Sequence, residues 1–307
     1  MTISYLPPVT LAAQLPALAP AADLATAQAM TRKLAHTHYE NFSVISWFVP
    51  RDLRQDFCNV YAFCRMADDA ADEQSDPQTA LLLLGQLKEC TNACFAGESN
   101  TALFKALSET IRRHDLPRQP FLDLIDAFEQ DQRVTRYETY PQLLDYCRRS
   151  ANPVGRLVLN LFGYRDEKLL RLSDQTCSAL QLTNFWQDVR RDMLDRNRIY
   201  IPQFTMTQFG VTEEQIRTGR VDDCYRALIR HEVERTERMF VAGDALVPLL
   251  EKKFRKQIAL FSRGGRSILQ SIRGQNYDTL TRRPKLSFVR KTRLALGLVF
   301  GRAIARG

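Results

Sequence analysis

The sequence predicts an all-α protein. Two observations carry that expectation: apolar residues recur at spacings of three and four over long windows, and strand-like runs are scarce, the β-branched stretch "FSVISWFV" at 42–49 standing isolated. With 307 residues and 45% hydrophobic content, the chain can bury one large core or two modest ones.

Taken in order, the start reads as an irregular arm over 1–24. It lacks a basic leader and is interrupted by Pro7, Pro8, Pro16 and Pro20. "RDLRQDFCNVYAFCRMADD" puts Leu53, Phe57, Val60, Tyr61 and Cys64 along one side of a helix, with Pro50 and Asp52 placed for a turn or cap at its start. "PQTALLLLGQLKECTNACF", "NTALFKALSETIRRH" and "PRQPFLDLIDAFEQDQR" predict three more helices. "TYPQLLDYCRRSANPVGRLVLNLFGY" predicts a helix that Pro153 interrupts or kinks, with Gly155 removing bulk nearby. A long helical pattern follows in "EKLLRLSDQTCSALQLTNFWQDVRRDMLDR", which exits through "RIYIP" at 198–202. "VTEEQIRTG" is a short helix ending near Gly219. Amphipathic windows then run from Asp222 to about Leu250 and from about Glu251 to Asn276. A single helical domain over 25–280 is the natural reading, followed by a basic extension over 281–307.

Composition narrows the function. No apolar window is long enough for a bilayer-spanning helix. Seven cysteines, an odd number without a close CxxC pair, fit reduced thiols, and Cys58, Cys64 and Cys147 read as small core residues. His36 and His38 have no nearby cysteine, which argues against zinc. The net charge of +8 is matched by the eight basic residues of the extension, where no acid interrupts Arg282, Arg283, Lys285, Arg290, Lys291, Arg293, Arg302 and Arg306. Beside the apolar "LALGLVF", these suit contact with an anionic membrane surface. No nucleic-acid-reading module accompanies them, so nucleic acid is not an expected partner.

The chemistry concentrates in two acidic groups. "YAFCRMADDAADE" carries Asp68, Asp69, Asp72 and Glu73; "NFWQDVRRDMLDR" carries Asp188, Asp192 and Asp195. Asp68 and Asp72 are four apart, as are Asp188 and Asp192, so each pair can present two carboxylates on one helix face. One such pair is commonplace on a solvated face. Two, each closing an apolar helix, predict a platform for Mg2+, which takes oxygen ligands and bridges to phosphate. The implied substrate is a diphosphate, and an anion so placed also needs basic donors. Arg65, three residues before Asp68, is one candidate, and Arg198 is another. Arg148, Arg149, Arg190 and Arg191 are weaker ones. Gln181 and Asn184 precede Asp188 on roughly its own face and can orient substrate, a metal-bound water or a carboxylate. Phe42, Trp47, Phe48, Tyr61, Phe63, Phe185 and Trp186 flank these motifs. Individually they read as core; together they permit an apolar chamber.

"YAFCRMADDAAD" and "QLTNFWQDVRRD", with "YCRRSANPVG" and "RIYIP", resemble the squalene and phytoene synthase family over roughly residues 30–280. Within it, "ENFSVISWFVPRDLR", "SANPVG" and "NFWQDV" are most similar to the bacterial hydroxysqualene synthases. The resemblance implies an isoprenoid-synthase fold, a helical bundle around a central apolar cavity. It implies Mg2+ on Asp68, Asp72, Asp188 and Asp192, and sets Tyr61, Arg65, Gln181 and Asn184 near the reacting diphosphate. Phe42 corresponds to a cavity residue, and Tyr146, Ala151 and Gly155 to the helix bending along the substrate; Asp69 and Glu73 become rim acids. Asn41 stands where many relatives have serine, and Gln187 where many have arginine. These departures favour the hydroxysqualene-forming branch.

The reaction so implied converts presqualene diphosphate and water to hydroxysqualene and diphosphate, in squalene and hopanoid biosynthesis. Its expected setting is the bacterial cytoplasm, at the cytoplasmic face of the membrane, with room for contacts to pathway enzymes. Two alternatives stand beside it: a head-to-head prenyl transferase making squalene or phytoene precursors, and a non-enzymatic helical protein of the membrane surface.

Overall fold

In a computed structural model of the chain, residues 18–20, 23–37, 49–74, 76–99 and 101–284 are described. They form α1 (Leu24–Thr37), α2 (Arg54–Asp72), α3 (Pro77–Phe95), α4 (Ala102–His114), α5 (Gln119–Asp131), α6 (Tyr140–Ser150), α7 (Asn152–Leu161), α8 (Glu167–Arg196), α9 (Gln203–Gln208), α10 (Glu213–Thr218), α11 (Asp223–Asp244) and α12 (Lys252–Gly274), with 3-10 turns at Arg51–Leu53 and Val247–Leu249. Among the described residues the β content is a lone bridge between Arg136 and Ile199. The all-α expectation holds. No helix among them is long and apolar enough to cross a membrane.

Local chemistry sets the helix ends. Asp76 caps α3 through the Thr79 amide at 2.9 Å, with Pro77 in the first turn where its missing N–H costs nothing. Thr139 and Gln142 form a reciprocal capping box on α6. Asp222 caps α11 through the Tyr225 amide at 3.0 Å. Of the turn or cap expected at Pro50 and Asp52, the structure has the turn: Pro50 leads into a 3-10 turn, and α2 starts after Leu53 without a side-chain cap. Pro153 breaks rather than kinks its helix. Ala151 leaves helical geometry (φ −123°, ψ −46°), and Pro153 lies in the first turn of the new helix α7. The amphipathic window from Asp222 ends in helix at Asp244, before the turn containing Pro248.

The described residues gather into two compact units. The first comprises residues up to Arg133 with Leu157–Tyr164. Its core centres on Phe63, fully buried on α2, with Phe121 edge-on at 4.9 Å and Phe104 at 6.4 Å. A buried polar chain stitches three helices. Thr31 of α1 donates to Asn59 Oδ1 (2.6 Å), Asn59 of α2 donates to Thr110 of α4 (2.9 Å), and Thr110 donates to Asp56 (2.8 Å). His114 Nε2 lies 3.0 Å from the same Asp56 carboxylate.

The second unit comprises Val134–Arg156 and the residues from Arg165 onward. Here α8, α11 and α12 pack closely at small residues. A Cβ on Gly243 would land on Thr176, and one on Gly265 on Phe240 and Leu180. Trp186 is fully buried and donates its indole N–H to Thr236 Oγ1 at 2.8 Å. Gly155 lets α7 approach α8, since a Cβ there would meet Cys177 Sγ and Ser173 Oγ. Asn152 accepts from Ser178 (2.8 Å) at the same crossing.

Candidate functional site

The first acidic motif closes α2 in the first unit. Arg65 is its organising cation: its guanidinium reaches Asp68 at 3.1 Å, Asp69 at 2.5 Å and Glu73 at 3.0 Å. The contact with Asp69 Oδ1 is close but out of hydrogen-bond alignment, so it acts chiefly through charge. Burial pushes the Asp69 carboxyl up to about 6, with Arg65 opposing and Glu73 adding to the rise. The Tyr61 hydroxyl, one turn before Arg65, is also raised by burial, with the Arg65 charge opposing and Asp68 reinforcing. Tyr61, Arg65, Asp68 and Asp69 therefore share one electrostatic neighbourhood. Asp72, one turn beyond Asp68, is half-buried.

The second motif lies on α8 in the second unit. Its helix carries one irregularity, at Asp188 itself (φ −111°, ψ 16°), so the motif sits on a kink. Asp188 is held by a residue 95 positions away: Arg283 donates through Nε to Oδ1 and through Nη2 to Oδ2, the latter at 2.8 Å. The neighbouring Gln187, buried, donates to the Pro284 carbonyl at 2.5 Å. Burial pushes the Asp192 carboxyl up to about 7; the Asp188 charge adds to this, while Arg196, Arg198 and Arg191 oppose it.

Other candidates fall where local contacts put them. Arg198 is buried, and its amide donates to the Asp192 carbonyl at 3.0 Å. Gln181 is half-buried and Asn184 exposed, two turns and one turn before the kink respectively. Arg148 and Arg149 both pair with Asp145 at 2.9 Å, Arg190 reaches the Arg217 carbonyl, and Arg191 pairs with Asp195 at 3.3 Å. These four serve local partners. Tyr146 joins an aromatic cluster that the sequence did not single out. Phe185 and Tyr200 stack at 3.7 Å with planes 7° apart, and Tyr146 lies 5.9 Å from Tyr200 and 5.5 Å from Tyr137. Ala151 and Gly155 lie at the break and at the close crossing of α7 on α8. Phe63 and Trp186 are core. Phe42, with Asn41, Trp47 and Phe48, lies outside the described residues, as does the extension from Lys285.

Arg283 is the site residue that sequence reasoning missed. It entered only as one of eight cations in the basic extension. The one available signal was Gln187, singled out by the resemblance as a departure, whose side chain holds the Pro284 carbonyl next to Arg283.

The acids fit a hard divalent ion. Both motifs offer carboxylate oxygens, Asp188 already holds a cation with both of its oxygens, and Asp192, raised first by burial, is raised further by the Asp188 charge that a cation would offset. No cluster of three or more metal-binding side chains occurs among the described residues. Each pair would leave further positions to water and substrate oxygens, as Mg2+ accepts.

An all-α bundle with these motifs is the fold of the isoprenoid and squalene synthases. The structure is similar to that of the squalene synthase HpnC from Alicyclobacillus acidocaldarius: TM-score 0.80, 45% identity, covering 83% of this chain and 96% of that one. Residues 35–290 match the squalene/phytoene synthase family, and the chain belongs to that family. Its relatives include a hydroxysqualene synthase of Sinorhizobium fredii, 34% identical over 68% of this chain and 70% of its own length. A phytoene synthase of Mycobacterium bovis is 30% identical over 89% and 90%. The chain is thereby placed with enzymes of prenyltransferase-type reactions in isoprenoid biosynthesis.

Proposed function

We propose that the protein converts presqualene diphosphate and water to hydroxysqualene and diphosphate. The observation that carries the reading is the carboxylate of Asp188, held at a helix kink with both oxygens on a cation and with Asp192 beside it. The likeness to the squalene synthase HpnC and to the hydroxysqualene synthase supports this branch. So does the "NPVG" segment, where Pro153 begins α7 and Gly155 seats it on α8.

In this reading Asp68 and Asp72 would hold Mg2+, as would Asp188 and Asp192, each pair leaving positions on the ion for diphosphate oxygens. The bound ions supply electrostatic stabilisation of the departing oxygens. Arg65 keeps the first motif compact and adds positive charge there. The carbon–oxygen bond breaks with its electron pair on the diphosphate, leaving a cyclopropylcarbinyl cation that rearranges among apolar and aromatic side chains. Tyr146, buried in its aromatic cluster, shields that cation from premature capture. A water oxygen then bonds to the rearranged carbon, and its proton passes to the released diphosphate. Tyr61 or Asn184 is assigned to orient that water, and Gln181 to the diphosphate. Arg198 balances the charge at Asp192. Basic residues of the extension hold the enzyme at the cytoplasmic face of the bacterial membrane, where an oily product can leave.

The test is incubation of purified protein and Mg2+ with presqualene diphosphate, farnesyl diphosphate or geranylgeranyl diphosphate, followed by mass spectrometry. Hydroxysqualene from the first, gaining the mass of an oxygen-18 label when made in labelled water, is the expected product. Turnover of only the other two would replace this reading with head-to-head condensation, which the phytoene synthase relatives favour.

A further inference from the structure

We propose that Arg283 is a built-in competitor for the cation position on Asp188, so that a divalent ion gains the second acidic motif only as the guanidinium leaves. The inference rests on the reading of Asp188 and Asp192 as a metal-binding pair and adds to it a residue that sets the affinity.

The contact is more than a chance surface pair, because the chain is fixed on both sides of it. After α12, Asn276 and Tyr277 adopt left-handed backbone (φ 53° and 58°), a conformation uncommon for two successive non-glycine residues. Their surroundings hold them there. Arg226 donates to the Asn276 carbonyl at 2.8 Å, and the Arg230 guanidinium lies 5.1 Å over the Tyr277 ring. Tyr225, fully buried on α11, shares a 2.7 Å hydrogen bond with Thr279. Asp278 then turns the chain by accepting from the amides of Leu280 and Thr281, and Gln275 donates to the Arg282 carbonyl at 2.9 Å. On the far side, Gln187 grips the Pro284 carbonyl. Between these anchors Arg283 meets both oxygens of Asp188 and also feels the charge of Asp192.

A guanidinium on both oxygens takes about two of a carboxylate's four or so lone-pair sites, and its positive charge opposes a metal ion at the remainder. It brings one positive charge where two carboxylates stand, so a doubly charged ion, with extra oxygen ligands from a diphosphate, can displace it. Arg283 is 43% exposed, and swinging its side chain into water leaves the anchors at Thr279 and Pro284 in place. The metal-free motif is thus kept neutralised by the protein itself, and metal loading is tied to the arrival of a ligand that helps to hold it.

The experiment titrates Mn2+ into full-length protein without substrate and measures bound metal by electron paramagnetic resonance. Wild type, Arg283→Gln, Arg283→Lys and the neighbouring Arg282→Gln are compared, and the second-motif sites are identified as those lost in Asp188→Asn. Arg283→Gln should bind Mn2+ at those sites about 1.5-fold to fivefold more tightly, the scale of a partly exposed ion pair. Arg283→Lys should fall between, and Arg282→Gln should match wild type. Hydrogen exchange in wild type should rise at residues 282–283 on adding Mn2+ and stay unchanged around Thr279. Equal or weaker binding in Arg283→Gln would overturn the competitor while leaving the metal site standing. Mn2+ binding that is indifferent to Asp188→Asn would overturn both.

Discussion

Asp188, at the one kinked position of α8, lays its negative charge on Asp192 one turn later, and together with burial this raises the Asp192 carboxyl to about 7. A carboxyl raised in the folded state stays protonated there below about pH 7, whereas the unfolded chain has released the proton above about pH 4. Folding therefore takes up a proton in that window, and the stability this gives declines as pH rises through it. Asn, always neutral, escapes the loss. Metal-free Asp192→Asn should be more stable than wild type at pH 8 by about 1–2 kcal/mol, reduced from the full shift by solvent screening, with no gain at pH 4. Urea unfolding at the two pH values reads this, and equal stability at pH 8 would count against it.

Asp188→Asn separates catalysis from folding. The substitution removes the charge that would face a metal and loosens the Arg283 pair, a partly exposed contact costing about 0.2–1 kcal/mol. Circular dichroism should be unchanged, while turnover of presqualene diphosphate should fall about 100-fold or more. Full turnover in a folded variant would favour a helical binding protein without chemistry.

Gly155 tests the crossing of α7 on α8. Adding a methyl group drives it into Cys177 Sγ and Ser173 Oγ, and overpacking of this kind costs about 1–3 kcal/mol. Gly155→Ala should lower the denaturation midpoint, and Cys177→Ala in the same chain should restore part of it. Were Gly155→Ala neutral, the close approach would have no energetic weight.

The basic extension gives a binding prediction. Because Arg283 and Pro284 are docked against α8, the cut belongs after Pro284. Removing 285–307 takes away the basic residues from Lys285 onward and should weaken sedimentation with anionic vesicles at about 0.1 M salt, leaving neutral vesicles unaffected. Unchanged binding by the folded truncation would reject a membrane role for the segment.

Much of this was legible in the sequence because it is local. The spacing of three and four gave the helices, and carboxylates four apart marked both motifs. Arg65 could be seen beside Asp68 because the two lie within one turn of α2. Three things escaped for the opposite reason. The kink at Asp188 follows no proline or glycine, so nothing at that position announced it. Arg283 reaches Asp188 across 95 residues, a pairing set by the turn after α12 and its anchors on α11. The stack of Tyr137, Tyr146, Phe185 and Tyr200 likewise joins residues from separate segments. Pro153 was visible as a disruption, but whether it bends one helix or begins another depends on the backbone at Ala151.

The most direct measurement is a crystal structure of the protein with Mg2+ and an unreactive thio-diphosphate analogue of presqualene diphosphate. Metal density is expected against Asp68 and Asp72 and against Asp188 and Asp192, with diphosphate oxygens among its ligands and Arg283 moved off Asp188. A bound analogue whose diphosphate ignores either acid pair, or an Arg283 still locked on Asp188 with metal beside it, would contradict the account.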